Sequence, residues 1–260
     1  MNDADNPAKQ ASTLILMRPH ALGVEIFMVE RAKTMAFAGG MMAFPGGKVD
    51  DADLALAGNA ALASGFDTLD AVDAAARVAA IRETFEEAGV LITDGPPVDP
   101  SLRDHWRPRI VRHEEAFADF LARIGHRLHA DRLTPWSHWC PPAGLEKRRY
   151  DTRFYLATMP DDEEAIHDGS ESVTSHWVRA SDALTRADAG ETSIIFPTRR
   201  NLERLAQHDT VEKLVMHACA HPVTLVQPVI EQREDGMYLC IPEGIGFPVT
   251  AEKLDRALRG

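Results

Sequence analysis

The chain has 260 residues, 45% of them hydrophobic and 26% charged, with a formal net charge of −12. That length can bury a core without covalent staples. No run of about 18 apolar residues offers a membrane-spanning helix, and the acidic balance argues against a nucleic-acid partner. An anionic small molecule is repelled as well, so a site for one has to invert the sign locally with bound cations or placed arginines.

Residues 1–12 are polar and lack the apolar core of a leader peptide, which predicts a disordered lead-in followed by one domain over 13–260. Thr13–Arg18 and Val24–Arg31 are rich in β-branched and large apolar residues around Pro19-His20-Ala21-Leu22-Gly23 and read as a hairpin. Gly39-Gly40 and Phe44-Pro45-Gly46-Gly47 then mark a structured loop that lets backbone approach a ligand closely. The Ala-rich stretch from Asp50 to Phe66 fits either a short helix or a mobile excursion.

A long helix is predicted from Leu69 to Ala88, with Asp67 or Thr68 as N-cap and Gly89 just past its end. Its apolar side is Leu69, Val72, Ala76, Ala80, Ile81 and Phe85. Val90–Ile92 reads as a short strand, Gly95-Pro96-Pro97 as a turn, and His113–Leu128 as helical through Phe117, Phe120, Leu121 and Ile124. Strands are expected over Leu133–Pro142, Tyr150–Thr158 and Val173–Val178, with an acidic loop at Asp161-Asp162-Glu163-Glu164 and a helix over Ala180–Ala187. Pro197–Cys219 is a further helical region, and Val223–Arg233 with Met237–Pro242 forms a hairpin about Glu234-Asp235-Gly236. Strands and helices mixed without strict alternation predict an α+β fold, a mixed sheet covered by helices.

Positions three and four apart share one helix face, so Glu83, Glu86 and Glu87 converge on one patch near the end of the long helix. Like charges at that spacing cost roughly 0.2–0.5 kcal/mol, and an anion at the negative helix end costs about 0.3–1 kcal/mol more. A divalent cation turns this repulsion into attraction, and carboxylate oxygens are the ligands Mg²⁺ and Mn²⁺ prefer. The plain alternative is a solvated helix face on which Arg82 pairs with Glu86.

The run Arg82-Glu83-Thr84-Phe85-Glu86-Glu87-Ala88-Gly89-Val90 resembles the second half of the box that defines the Nudix hydrolase superfamily. Gly47 and Asp53 resemble its first half, with Asp where most members carry Glu. The family's spacing puts the arginine at Ala61, whereas it stands at Arg82, 21 residues later, which places an insertion at about 53–73. Upstream, Arg31 and Gly40-Met41-Met42-Ala43-Phe44-Pro45-Gly46-Gly47 are similar to the signature of the coenzyme A diphosphatase branch, although its second arginine falls at Ala36. The insertion and Arg148-Arg149-Tyr150-Asp151-Thr152-Arg153-Phe154 look like the long acyl-CoA-cleaving members.

The resemblance implies a Nudix fold, an α/β/α sandwich with added helical segments at about 197–220. It also implies hydrolysis of a nucleoside diphosphate conjugate with Mg²⁺ or Mn²⁺, most directly CoA or acyl-CoA to 3′,5′-ADP and a phosphopantetheine product. The alternatives are ADP-ribose, NADH or a nucleotide sugar, or a binding module that has lost activity. By position, Glu83, Glu86 and Glu87 with the Gly47 carbonyl become metal ligands. Glu83 is a ligand or the base, and Arg82 orients the carboxylates. Arg31, Arg149, Gly46 and Phe37 become substrate contacts, with Trp136 and Trp139 either stacking on adenine or filling the core. Glu163, Glu164 and Glu171 are loop carboxylates that either add a ligand or base or stay solvated. The sequence leaves a homodimer open and gives no membrane partner.

Overall fold

The structure is a computed structural model that describes residues 7–31, 40–142, 149–161, 163–166 and 172–257. Arg31 is described in its backbone only, and Phe37 and Glu171 lie outside the described residues. The chain opens with β1 (Lys9–His20) and β2 (Gly23–Arg31), followed by β3 (Met42–Ala43), β4 (Gly46–Lys48), α1 (Asp51–Ala57) and β5 (Ala63–Ser64). The central run is α2 (Ala71–Ala88), α3 (Pro100–Val111), α4 (Phe117–Ile124), β6 (Leu128–His129), β7 (Thr134–Trp139), β8 (Tyr150–Thr158) and β9 (Ser172–Arg179). It closes with α5 (Ala180–Asp188), α6 (Phe196–Leu205), α7 (Val211–Ala220), β10 (Leu225–Val226), β11 (Val229–Arg233), β12 (Gly236–Cys240), β13 (Ala251–Lys253) and α8 (Leu254–Ala257).

The main sheet runs β10-β7-β8-β1-β2-β3, with β4 added to β1 and β9 to β2. β1 is parallel to β8 and antiparallel to β2 and β4, so the sheet is mixed. Leu14, Leu16, Phe27, Val29 and Tyr155 face α2 and α4, and Ile15, Met17, Ile26, Met28 and Leu156 face α5, α6 and α7. A strand buried on both faces loses the apolar–polar alternation of a half-exposed one, which is why Leu14-Ile15-Leu16-Met17 is continuously apolar. The expected α+β sandwich is the fold observed.

Several local readings change. β1 starts at Lys9, where Lys9 N–H donates to the Arg149 carbonyl at 3.0 Å, so residues 9–12 are sheet and not part of the lead. The insertion is folded: α1 packs on α2, and β5 pairs in parallel with β6. The N-cap of α2 is Asp70, whose carboxylate accepts from Val72 N and Asp73 N at 2.9 Å each, and Val72 is 43% exposed, not on the apolar side. Ala74 through Arg82 are all buried, because α1, α3 and α4 cover the outer side of α2 and its alanines let neighbours approach.

Val90–Ile92 is buried but is not a strand: its apolar side chains fill the first core layer, and among the described residues no strand pairs with it. Helix α3 was not predicted; Asp99 caps it by accepting from Ser101 N at 2.9 Å, with Pro100 at the first position, a start signal present in the sequence. The region 197–219 splits into α6 and α7 with Thr210 as the second N-cap, accepting from Lys213 N at 3.2 Å.

On the second face Arg204 is 1% exposed, stacks on Trp136 at 3.9 Å, and donates from Nε to His217 Nε2 at 3.1 Å. Trp136 and Trp139 are thus core residues, 0% and 2% exposed. Burial, with Arg204 beside it, pushes the His217 imidazole down to about 4 from 6.5. A histidine whose folded value is depressed takes up its proton more readily when unfolded, so its contribution to stability is present above about pH 6.5 and is lost as pH falls towards 4. Thermal unfolding from pH 7 to 4 is expected to show a loss that His217→Gln shrinks by about 1–3 kcal/mol.

Candidate active site

The end of α2 is fixed by Gly89, whose φ of 71° is open to glycine at little cost and whose N–H donates to the Phe85 carbonyl at 2.9 Å. Arg107 of α3 crosses this end and donates from Nε to the Glu86 carbonyl at 2.8 Å, a cation at the negative end of the helix dipole. Arg107 was missed in the sequence because α3 was missed. The last turn and a half of α2 therefore holds still, and it carries Glu83, Glu86 and Glu87.

Arg82 organises them. Its Nε and Nη2 donate to Asp53 Oδ1 and Oδ2 at 2.8 and 2.9 Å, and Nη2 also donates to the Lys48 carbonyl at 2.9 Å. Nη1 donates to Glu83 Oε1 at 2.9 Å and Glu86 Oε1 at 3.0 Å. All five guanidinium N–H groups are used, which a lysine cannot reproduce. Asp53, 2% exposed, also accepts from Asp50 N at 2.8 Å, so it belongs to the frame beneath the carboxylates.

The Gly46–Gly47 strand closes the other side. Gly46 N–H donates to Glu87 Oε2 at 3.2 Å. A Cβ built on Gly47 would lie 2.5 Å from both Cδ and Oε1 of Glu83, so the Glu83 carboxylate rests on the glycine backbone. Gly47→Ala is expected to lower kcat by about 10²-fold or more, in line with small misplacements of positioned groups, while the circular dichroism spectrum stays that of the parent. An active G47A variant would show that the contact is dispensable.

Burial raises the Glu83 carboxyl to about 7 against the opposing pull of Arg82, and raises that of Glu86 in the same way. Asp53, Glu83 and Glu86 share the Arg82 guanidinium, three carboxylates on one cation. Among the described residues no three Asp, Glu, His or Cys side chains are gathered closely enough to hold an ion as they stand, because Glu83 and Glu86 are turned onto Arg82. The donor set itself, carboxylate oxygens beside a backbone carbonyl, suits a hard divalent cation.

Other expected residues lie elsewhere or are differently engaged. Arg149 is 5% exposed and its Nε donates to the Pro141 carbonyl at 2.8 Å, so this side chain is turned to the chain just past β7. Glu163 Oε1 accepts from Val98 N at 3.3 Å, and Glu164 is exposed. His138 pairs with Asp151.

The sequence profile of the NUDT19 Nudix domain matches residues 60–205. The chain belongs to the NUDT19 Nudix domain family. It is therefore a Nudix hydrolase. It is similar to the acyl-coenzyme A diphosphatase NUDT19 of Xenopus laevis, 25% identical over 281 residues that cover 88% of this chain and 74% of that protein. Putative nudix hydrolase 7 of Caenorhabditis elegans is 31% identical over 243 residues, covering 89% and 75%. A Nudix hydrolase structure from Alicyclobacillus acidocaldarius superposes with a TM-score of 0.70 at 29% identity, covering 81% of this chain and 96% of that one. The family match begins beyond Gly46, Gly47 and Asp53, so the first half of the box rests on the geometry just described.

Proposed function

We propose that this Nudix hydrolase cleaves the phosphoanhydride of CoA or acyl-CoA with Mg²⁺ or Mn²⁺, giving 3′,5′-ADP and the (acyl-)phosphopantetheine product. The observation that carries the reading is the placement of Glu83 and Glu87 against the Gly46–Gly47 backbone, with Arg82 anchoring Glu83 and Glu86 beside them. The name of the Xenopus relative supports the choice of acyl-CoA as substrate.

Glu83, Glu86, Glu87 and the Gly47 carbonyl are the groups that would hold the metal, Glu83 and Glu86 swinging from Arg82 to do so. Bound there, a divalent cation neutralises charge building on the leaving phosphate and acidifies an attacking water. Water adds to one phosphorus of the anhydride, the bridging P–O bond breaks, and the water's proton passes to a carboxylate of the cluster. Asp53 keeps Arg82 in place when the glutamates leave it, so the frame survives the rearrangement.

The test is incubation with CoA, an acyl-CoA, ADP-ribose and NADH, each with Mg²⁺, Mn²⁺ or chelator, and products separated by chromatography. Formation of 3′,5′-ADP from the CoA compounds, abolished by chelator, is expected. Faster release of AMP from ADP-ribose or NADH, with little 3′,5′-ADP, would move the assignment to those conjugates.

A further inference from the structure

An acidic protein that handles a diphosphate needs a cation on the substrate side, and most arginines near the cluster are already engaged. Arg82 spends five N–H groups on its frame. Arg77 is paired with Asp73 at 2.9 Å and donates to the Ala130 and Leu133 carbonyls at 2.7 Å each. Arg107 lies on the Glu86 carbonyl.

Arg153 differs. It is half-buried on β8 and donates to Gln10 Oε1 at 3.2 Å; among the described residues it makes no direct ion pair, the Asp151 carboxylate beyond Gln10 being held by Gln10 Nε2 at 2.8 Å. Its place in the sheet is informative. Ser12 of β1 is opposite Gly47 of β4 on one side and Arg153 of β8 on the other, so the three form one row across the sheet. Side chains in a row share a face, and Tyr155, two residues on from Arg153, points to the α2 side, where it donates to Asp73 Oδ1 at 2.6 Å. Arg153 therefore lies on the face that carries Glu83 over Gly47.

Two strand spacings separate Arg153 from Gly47, about 10 Å, a gap that an extended arginine and a diphosphate span together. Between them, Ser12 is 0% exposed and its hydroxyl has no hydrogen-bond partner among the described residues. Unsatisfied buried hydroxyls are rare and call for an absent partner.

We propose that Arg153, with the Ser12 hydroxyl beside it, forms an oxyanion subsite that holds a phosphoryl group of the substrate diphosphate from the sheet side of the Glu83 cluster. The subsite rests on the reading of the site as a phosphoanhydride hydrolase. It assigns to Arg153 the phosphate contact that the sequence suggested for Arg149. A guanidinium suits this task because its planar fork binds two phosphate oxygens at once.

The test measures binding of inorganic pyrophosphate with Mg²⁺ by calorimetry to the parent, Arg153→Gln, Arg153→Lys and Ser12→Ala, alongside acyl-CoA kinetics. Arg153→Gln is expected to weaken pyrophosphate binding and raise KM by about 10- to 150-fold, the range for a lost charge-assisted hydrogen bond. Its kcat should change less, and Arg153→Lys should recover part of the affinity. Pyrophosphate affinity within threefold of the parent, in a folded Arg153→Gln variant, would overturn the proposal. Should that variant not fold, unchanged affinity in both Arg153→Lys and Ser12→Ala overturns it equally. A parent that binds pyrophosphate through Arg153 yet cleaves no conjugate defeats the hydrolase assignment and leaves the subsite standing. A parent that binds no pyrophosphate defeats the subsite.

Discussion

Glu86→Gln is expected to lower kcat by about 10²- to 10⁴-fold or more, the range associated with loss of a single acid–base or charge-handling group, with the fold intact. The substitution keeps the shape and an acceptor oxygen for Arg82 Nη1, which holds Glu86 Oε1 at 3.0 Å. What it removes is one negative charge from a cluster in which Asp53, Glu83 and Glu86 share one guanidinium. Since burial already raises the Glu86 carboxyl, losing that charge should leave the melting temperature equal to or above the parent's. Activity loss without stability loss is the signature of a residue kept for chemistry. Parallel measurement of kcat at saturating Mg²⁺ and of thermal unfolding decides the point, and parent-like turnover in Glu86→Gln would remove this glutamate from the reaction.

Arg82→Met should do the reverse and cost about 3–5 kcal/mol of stability, the range for breaking a buried ion pair by deleting one partner. The methionine fills similar space but strands Asp53, 2% exposed, with its carboxylate stripped of both guanidinium bonds. It also leaves Glu83 and Glu86 facing each other without a shared cation. Because the penalty comes from uncompensated charge, Asp53→Asn in the same chain should return part of it, and the two changes should couple by more than about 1 kcal/mol. Urea unfolding of the single and double variants measures this. A loss below 1 kcal/mol in Arg82→Met would mean that the guanidinium is not the anchor of the cluster.

The helix that carries the glutamate cluster was legible because its signals are local. Spacing of three and four placed Glu83, Glu86 and Glu87 on one face, and the Gly89 stop is where the structure puts it. The Tyr150–Thr158 strand and the strand–helix run from 173 to 187 were readable for the same reason, since alternation and helical spacing are set by neighbours in the chain. Val90–Ile92 looked like a strand because its side chains are apolar, but a strand needs a backbone partner, and no local pattern reports whether one arrives. The folded insertion was ambiguous because Ala-rich sequence supports a helix only when something such as α2 covers it.

By itself the sequence determined the acidic face of α2, its termination, the apolar runs that become β1 and β2, and membership in a recognisable enzyme class. Apart from Gly47, which the resemblance already grouped with the glutamates, tertiary structure alone decided which groups surround that face. It brought Gly47 under Glu83 from 36 positions earlier in the chain, set Asp53 beneath Arg82, and laid Arg107 across the helix end. It also aligned Ser12 and Arg153 in one sheet row while turning Arg149 onto the Pro141 carbonyl. The physical reason is one of range. Propensity, capping and face periodicity act within a few residues, whereas the position of a distant side chain depends on strand register and on helices whose packing no short window of sequence contains.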